Sequence, residues 1–273
     1  MIPRFANSAM IRVRPRLLSK GAGAGHVDLR VRYGILQHPT RGTVLIDTGY
    51  GAQMTAKGAS LPLRIYNRLM GARIAPPIAM HAALAACGTS KDAVTEIIVT
   101  HLHADHVSEL RAFPNARLHL SGRALSAMKR AGRWANLRHG IFPELVPEDV
   151  AARMVDLDAC PQVPAPLGLG TGGDLFGDGS VLVIDLPGHA PGHVGLCFPK
   201  ADPPLLYATD VQWLVAAAVD PAKVTLAAKL VATDAEAALA STGKVARFAA
   251  AGGQVMTCHD PALTAYDVVE VAG

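Results

Sequence analysis

Glu96-Ile97-Ile98-Val99-Thr100-His101-Leu102-His103-Ala104-Asp105-His106 joins an apolar run to four metal-capable side chains within six positions. The run Glu96–Thr100 is short and β-branched, which predicts a buried strand. Imidazole and carboxylate are the ligands that a borderline cation such as Zn²⁺ takes. In an extended chain His101 and His103 fall on one side, while Asp105 and His106 turn toward a neighbouring position. One loop can therefore serve two ions. A single histidine is ordinarily a structural residue, but H-x-H-x-D-H at a strand end is poorly explained as core.

One loop cannot close two sites, so the remaining ligands must come from elsewhere in the chain. Three candidates end other apolar runs. Pro187-Gly188-His189-Ala190-Pro191-Gly192-His193 is a turn whose glycines and prolines aim a side chain. Ala208-Thr209-Asp210 ends the run Leu205–Ala208, and Thr257-Cys258-His259-Asp260 ends Gln254–Thr257. Alone, Asp210 or His259 carries little weight; together they complete the ligand set of a two-metal hydrolytic site.

The rest of the chain alternates strands and helices. Strands are predicted at His26–Tyr33, Thr43–Ile46, Arg117–Leu120, Ser180–Leu186 and Val194–Phe198, and a helix at Ser121–Ala131. Pro143–Leu169 reads as Pro-rich loop with one helix. Asp220-Pro221 predicts a helix start, and Thr233-Asp234-Ala235-Glu236 a capping box opening a helix toward Arg247. The pattern predicts two βα-rich layers packed face to face in one domain spanning 1–273. Tyr50–Ser90, rich in Met, Leu, Ile and Pro, reads as an insertion near the site mouth, suited to an acyl-chain pocket or a homodimer contact.

With 273 residues, half of them hydrophobic and 18% charged, the chain has ample material for a core and is not disordered. No apolar run of about 18 residues occurs, which excludes a spanning helix. The net charge of +4 gathers at the start, in Arg4, Arg12, Arg14, Arg16, Lys20, Arg30 and Arg32. These arginines lack interleaved aromatics for base stacking, so a solvated basic terminus is expected, with no nucleic-acid partner. Four scattered cysteines without CxxC spacing predict free thiols and a cytoplasmic protein.

With Asp47-Thr48-Gly49 added, the ordered motifs resemble those of the metallo-β-lactamase superfamily over nearly the whole chain. The resemblance implies an α/β fold, an αββα sandwich of two mixed sheets with outer helices and a dinuclear site at one edge. It implies that His101, His103 and His193 hold one metal ion. Asp105, His106 and His259 would hold the other, with Asp210 bridging, giving two divalent ions, zinc foremost. His189 would only form its turn, and Asp47 would fix the loop that presents the ligands. The implied chemistry is attack by a bridging hydroxide on a carbonyl or phosphoryl centre, with Asp105 also carrying a proton to the leaving group.

Within the superfamily the sequence is most similar to the N-acyl-homoserine lactonases. The likeness rests on His101–His106, on Asp174-Leu175-Phe176-Gly177-Asp178-Gly179-Ser180 and on the Pro187–Gly195 turn. It implies a quorum-quenching lactonase acting on a small-molecule lactone or ester. Two positions depart from that pattern. Trp213 stands three residues after Asp210, where a tyrosine is usual, and Cys258 precedes His259, where glycine is usual. A glyoxalase-II-like thioesterase or a phosphotriesterase would use the same metal motif. A non-enzymatic descendant typically loses ligands, and here all seven are present.

Overall fold

The computed structural model describes residues 1–268; the last five positions of the expected domain lie outside the described residues. Two sheets make the framework. The first contains β1 (Arg4–Val13), β2 (Val27–His38), β3 (Gly42–Ile46), β4 (Arg73–Ile74), β5 (Val94–Ile98), β6 (Arg117–Leu120) and β7 (Met154–Asp156), in the order β4-β1-β2-β3-β5-β6-β7. The second contains β8 (Gln162–Ala165), β9 (Gly170–Asp174), β10 (Leu182–Asp185), β11 (Val194–Phe198), β12 (Leu205–Tyr207) and β13 (Gln254–Met256), in the order β13-β12-β11-β10-β9-β8. Both are mixed. In the first, β3, β5, β6 and β7 run parallel beyond an antiparallel β1–β2–β3 meander. In the second, only β12 and β13 pair in parallel.

The parallel strands are apolar almost throughout because both of their faces are covered. Ile97, Ile98, Val44, Leu45, Ile46 and Leu118 are fully buried in the first sheet, as are Leu196, Phe198, Leu205 and Tyr207 in the second. These side chains belong to one continuous cluster that packs both faces of the first sheet and the inner face of the second. A second cluster, with Ile184, Leu206, Val245 and Phe248, seats the helix Ala235–Ala250 on the outer face of the second sheet. This is the αββα sandwich expected from the motifs.

The N-terminus differs from its expectation. Arg4–Val13 is not a solvated arm but the longest partner of β2, running antiparallel to it from Arg4↔Ile35 to Val13↔Val27. A register shift between Asn7 and Ala9 breaks the alternation that would have marked it as a strand. Arg32, counted with the basic arm, is wholly buried and ion-paired to Asp267 at 2.7 Å. Pro143–Leu169 likewise holds β7 and β8 beside its one α-helical turn, Val150–Arg153. The helix opened by the capping-box motif starts one residue later than read: Asp234, not Thr233, accepts from the Glu236 and Ala237 amides. Asp220 caps a 3₁₀ turn, Pro221–Lys223.

Tyr50–Ser90 folds into the helices Leu61–Met70 and Pro77–Ala86, with β4 between them pairing on the free edge of β1. The first helix splits its apolar residues. Leu63 is buried and Tyr66 and Met70 are half-buried, whereas Leu61, Ile65 and Leu69 form an exposed stripe. Among the described residues no helix is long and apolar enough to cross a membrane.

Candidate metal centre

Strand ends bring the site together. β5 delivers the His101–His106 loop at its C-terminal end, and the turns after β10, β12 and β13 deliver Pro187–His193, Asp210 and His259 to the same place. Parallel pairing puts the ends of β3 and β5 side by side, so Asp47 reaches the loop that follows β5. Its carboxylate accepts from the Thr100 amide and hydroxyl, each at 2.8 Å, and from His106 Nδ1 at 2.8 Å. Asp47 has a φ of 58°, a left-handed conformation that aspartate tolerates better than most residues. It holds the His106 Nδ1 proton and turns Nε2 toward Asp210.

Two groups of ligand atoms result, each within 4.8 Å of one another: His101, His103, His189 and Asp210, and His106, Asp210, Cys258 and His259. In the first, His103 Nδ1 lies 3.1 Å from His101 Nε2 and 3.0 Å from His189 Nε2. Ligand atoms placed tetrahedrally about 2.0–2.1 Å from a zinc ion stand about 3.3 Å apart, so this spacing suits a metal. In the second, His259 Nε2 lies 3.1 Å from Asp210 Oδ2 and 3.3 Å from Asp105 Oδ2, and His106 Nε2 lies 3.4 Å from Asp210 Oδ2. His259 Nδ1 donates to the Arg30 carbonyl at 2.7 Å, which aims Nε2 inward.

The chemistry of these groups fits a pair of cations. His106 Nε2 and Asp210 Oδ1 are buried with no hydrogen-bond partner, an arrangement that costs about 1–3 kcal/mol per group unless something else binds there. Burial holds His101 and His189 well below the usual imidazole value and His103 at about 4, so all three offer lone pairs at neutral pH. Burial also disfavours charge on His106, but Asp47, Asp210 and Asp105 outweigh it and hold that ring well above its usual value. His259 is held up in the same way against burial, chiefly by Asp210. Asp105, despite burial, is drawn down to about 2 by His106 and His259.

Of the seven expected ligands, the structure places His101, His103, His106, Asp210 and His259 in these groups and leaves His193 and Asp105 outside both, although Asp105 stands 3.3 Å from His259 Nε2. His193 Nδ1 donates to the Leu186 carbonyl at 2.7 Å, and its Nε2 meets the Thr209 hydroxyl, so both ring nitrogens are already used. His189, read as a turn former, occupies the expected place instead. Gly188 aims it: at φ 118° it packs so closely on the helix Ala235–Ala250 that a Cβ would stand 2.0 Å from the Ala238 nitrogen. Thr233, through its amide and hydroxyl, holds the His189 carbonyl. The two histidines share one motif, and only tertiary packing separates them.

Cys258 is buried in the second group, but its thiol donates to the Arg32 carbonyl at 3.5 Å. Arg32 is the residue that the sequence reading missed. Its guanidinium donates to the carbonyls of Asp260 and Ala262 at 2.6 Å each, tying down the loop that carries His259.

A cavity of about 300 Å³ opens onto the ligands. Ile11, Val13, Leu18, Leu29, Met70 and Trp213 make its apolar wall, with Tyr66, Arg138 and His139 also lining it. Tyr66 and Met70 are the contribution of the Tyr50–Ser90 segment; the exposed stripe of the same helix faces away.

The family model described as Metallo-beta-lactamase superfamily matches residues 28–248. The chain belongs to this superfamily. A gamma-lactamase, FDB1, of Fusarium pseudograminearum (strain CS3096) is 28% identical over 118 residues, 43% of this chain and 28% of that relative. The match thus spans little more than a quarter of the relative's length. Among solved structures, superfamily architecture recurs in an AiiA mutant from B. thuringiensis with N-decanoyl-L-homoserine bound, at TM-score 0.66 and 17% identity over 94% of this chain and 92% of that one. AidC, a dizinc quorum-quenching lactonase in complex with its product, gives TM-score 0.62 and 17% identity over 93% and 86%. At such identities the likeness is one of fold.

Proposed function

We propose that the protein is a metal-dependent hydrolase that opens lactone or ester bonds, with N-acyl-homoserine lactones as the substrate class. The observation that carries this reading is a pair of ligand groups sharing Asp210 at the floor of an apolar cavity. His101, His103 and His189 would hold one ion, His106, His259 and Asp105 the other, and Asp210 both. Asp105 is preferred to Cys258 because the thiol is engaged by Arg32, while the carboxylate faces His259. When bound, divalent ions acidify water and polarise the carbonyl oxygen. Zinc suits the imidazole-rich set.

The protein's own residues do the rest. The apolar wall seats an acyl chain and excludes water from the reacting carbon. Asp105 lies at the edge of the cavity with an oxygen 3.3 Å from His259 Nε2, where it can carry a proton to the departing oxygen. Fold neighbours bound to N-acyl-homoserines are consistent with the lactone reading, which the assay below separates from the thioester and phosphotriester ones. Four free cysteines support a reducing, cytoplasmic location.

The test is proton release on opening of short- and long-chain N-acyl-homoserine lactones, with metal-loaded protein against a chelated blank. Metal-dependent opening that favours long chains is the expected result. No opening by a protein holding about two ions per chain would discard the lactone and turn attention to thioesters and phosphotriesters.

A further inference from the structure

Resting on the hydrolase reading, a second question is what stabilises the oxygen that leaves. Hydrolysis adds the hydroxyl of water to the acyl carbon and breaks that carbon's bond to the ester oxygen. The bonding electron pair moves to the departing oxygen, which takes up the remaining proton. A preformed hydrogen-bond donor aimed at that oxygen lowers the barrier most where the leaving group is poor.

Outside the ligands, four donors line the cavity: Tyr66, Arg138, His139 and Trp213. Arg138 is exposed to solvent. Trp213 also borders a small crevice with His189, Val231 and Ala238, which puts it on the imidazole-rich flank. Tyr66 lies on the other flank, beside the carboxylates. Its ring packs on Phe142 with centroids 5.0 Å apart, and a Cβ on Gly140 would meet its hydroxyl at 3.0 Å. Gly140 has a φ of 67° and accepts the Ala104 amide at 3.0 Å, so the loop confining the phenol is tied to the residue before Asp105. Burial, and after it the charge of Asp105, push this phenol above its ordinary value, and the Tyr50 phenol lies beside it. A phenol keeps its proton at neutral pH and so presents a donor.

We propose that the Tyr66 hydroxyl hydrogen-bonds the departing oxygen of the substrate, so that the Leu61–Met70 helix supplies a group to the chemistry and not only a wall to the cavity. Tyr66 keeps its own proton throughout; Asp105 relays the one that the departing oxygen acquires.

The experiment compares Tyr66→Phe and Trp213→Phe on two substrates with the same acyl chain, a lactone and a p-nitrophenyl ester, at matched metal content. For Tyr66→Phe, kcat on the lactone should fall about 10²-fold with KM little changed, while the p-nitrophenyl ester changes no more than about threefold. Trp213→Phe should show no such dependence on the leaving group. Equal losses on both substrates for Tyr66→Phe, no loss at all, or the leaving-group dependence appearing in Trp213→Phe would each overturn the proposal. A wild-type enzyme that cleaves alkyl and aryl esters but no lactone would end the lactone reading alone. The same comparison would then run on alkyl against aryl esters.

Discussion

The two flanks of Asp210 are built from different chemistry. On one side three imidazoles converge, each held neutral by burial and each ready to donate a lone pair. On the other, two imidazoles sit beside the carboxylates of Asp105 and Asp210, which hold both rings up, with Asp47 adding to His106. Buried carboxylates at this density need positive charge nearby, whether from protons or from an ion. In the proposed reading the imidazole-rich flank would select a cation by geometry and softness, and the carboxylate-rich flank would attract one by charge. The two positions should therefore lose their ions separately and not together.

The largest expected effect comes from the second flank. His106→Ala removes a ring that contacts Asp47 at one nitrogen and faces Asp210 with the other. It should abolish most turnover and one bound ion per chain while leaving the circular dichroism of the fold unchanged. An active His106→Ala protein with full metal content would break the two-flank description. On the first flank the decisive pair is His189→Ala against His193→Ala. The former should lose about one ion per chain. The latter should keep both ions bound but destabilise the chain by about 1–3 kcal/mol in a denaturant titration, because the Leu186 carbonyl and Thr209 hydroxyl lose their partner. The reverse pattern would return His193 to the ligand set.

That pair also shows where the sequence is legible. The loop His101–His106 declares itself because its four ligands are adjacent, and local spacing alone sets which side each faces. In Pro187–His193 two histidines sit in nearly identical Pro-Gly-His contexts. What separates them is the approach of the helix Ala235–Ala250 to Gly188 and the Thr209 hydroxyl beside His193, both remote in sequence. Arg32 fails for a related reason. An arginine among arginines reads as surface, and nothing local announces that the Asp260 and Ala262 carbonyls will enclose it. β1 was hidden by its register shift, and β8 and β9 by proline and glycine within them. The strands of continuous β-branched and aliphatic residues, by contrast, were readable to within two residues at their ends.

A smaller effect sharpens the asymmetry. Asp47→Asn keeps the shape of the side chain but removes the charge that holds the His106 Nδ1 proton. Losing such a support for a ligating histidine weakens metal affinity about 10–100-fold. Titration with a chelator should show one ion becoming easier to remove while the other, on the imidazole-rich flank, is retained. Loss of both ions in a single step would mean that the flanks are one cooperative unit joined through Asp210.

The smallest effect lies at the cavity wall, where Met70 meets the substrate space without touching the ligands. Met70→Ala removes apolar contact from one end of a cavity of about 300 Å³. Shortening one wall by a few methylene-sized groups changes discrimination by about 1–3 kcal/mol, expressed only with substrates long enough to reach it. The ratio of kcat/KM for long- against short-chain lactones should drop, while metal content and short-chain turnover stay level. Because Leu61, Ile65 and Leu69 face away from the cavity on the same helix, alanine at those positions should leave the ratio unchanged. If they alter it as much as Met70 does, the acyl chain runs over the outside of the helix, and the apolar wall has a different use.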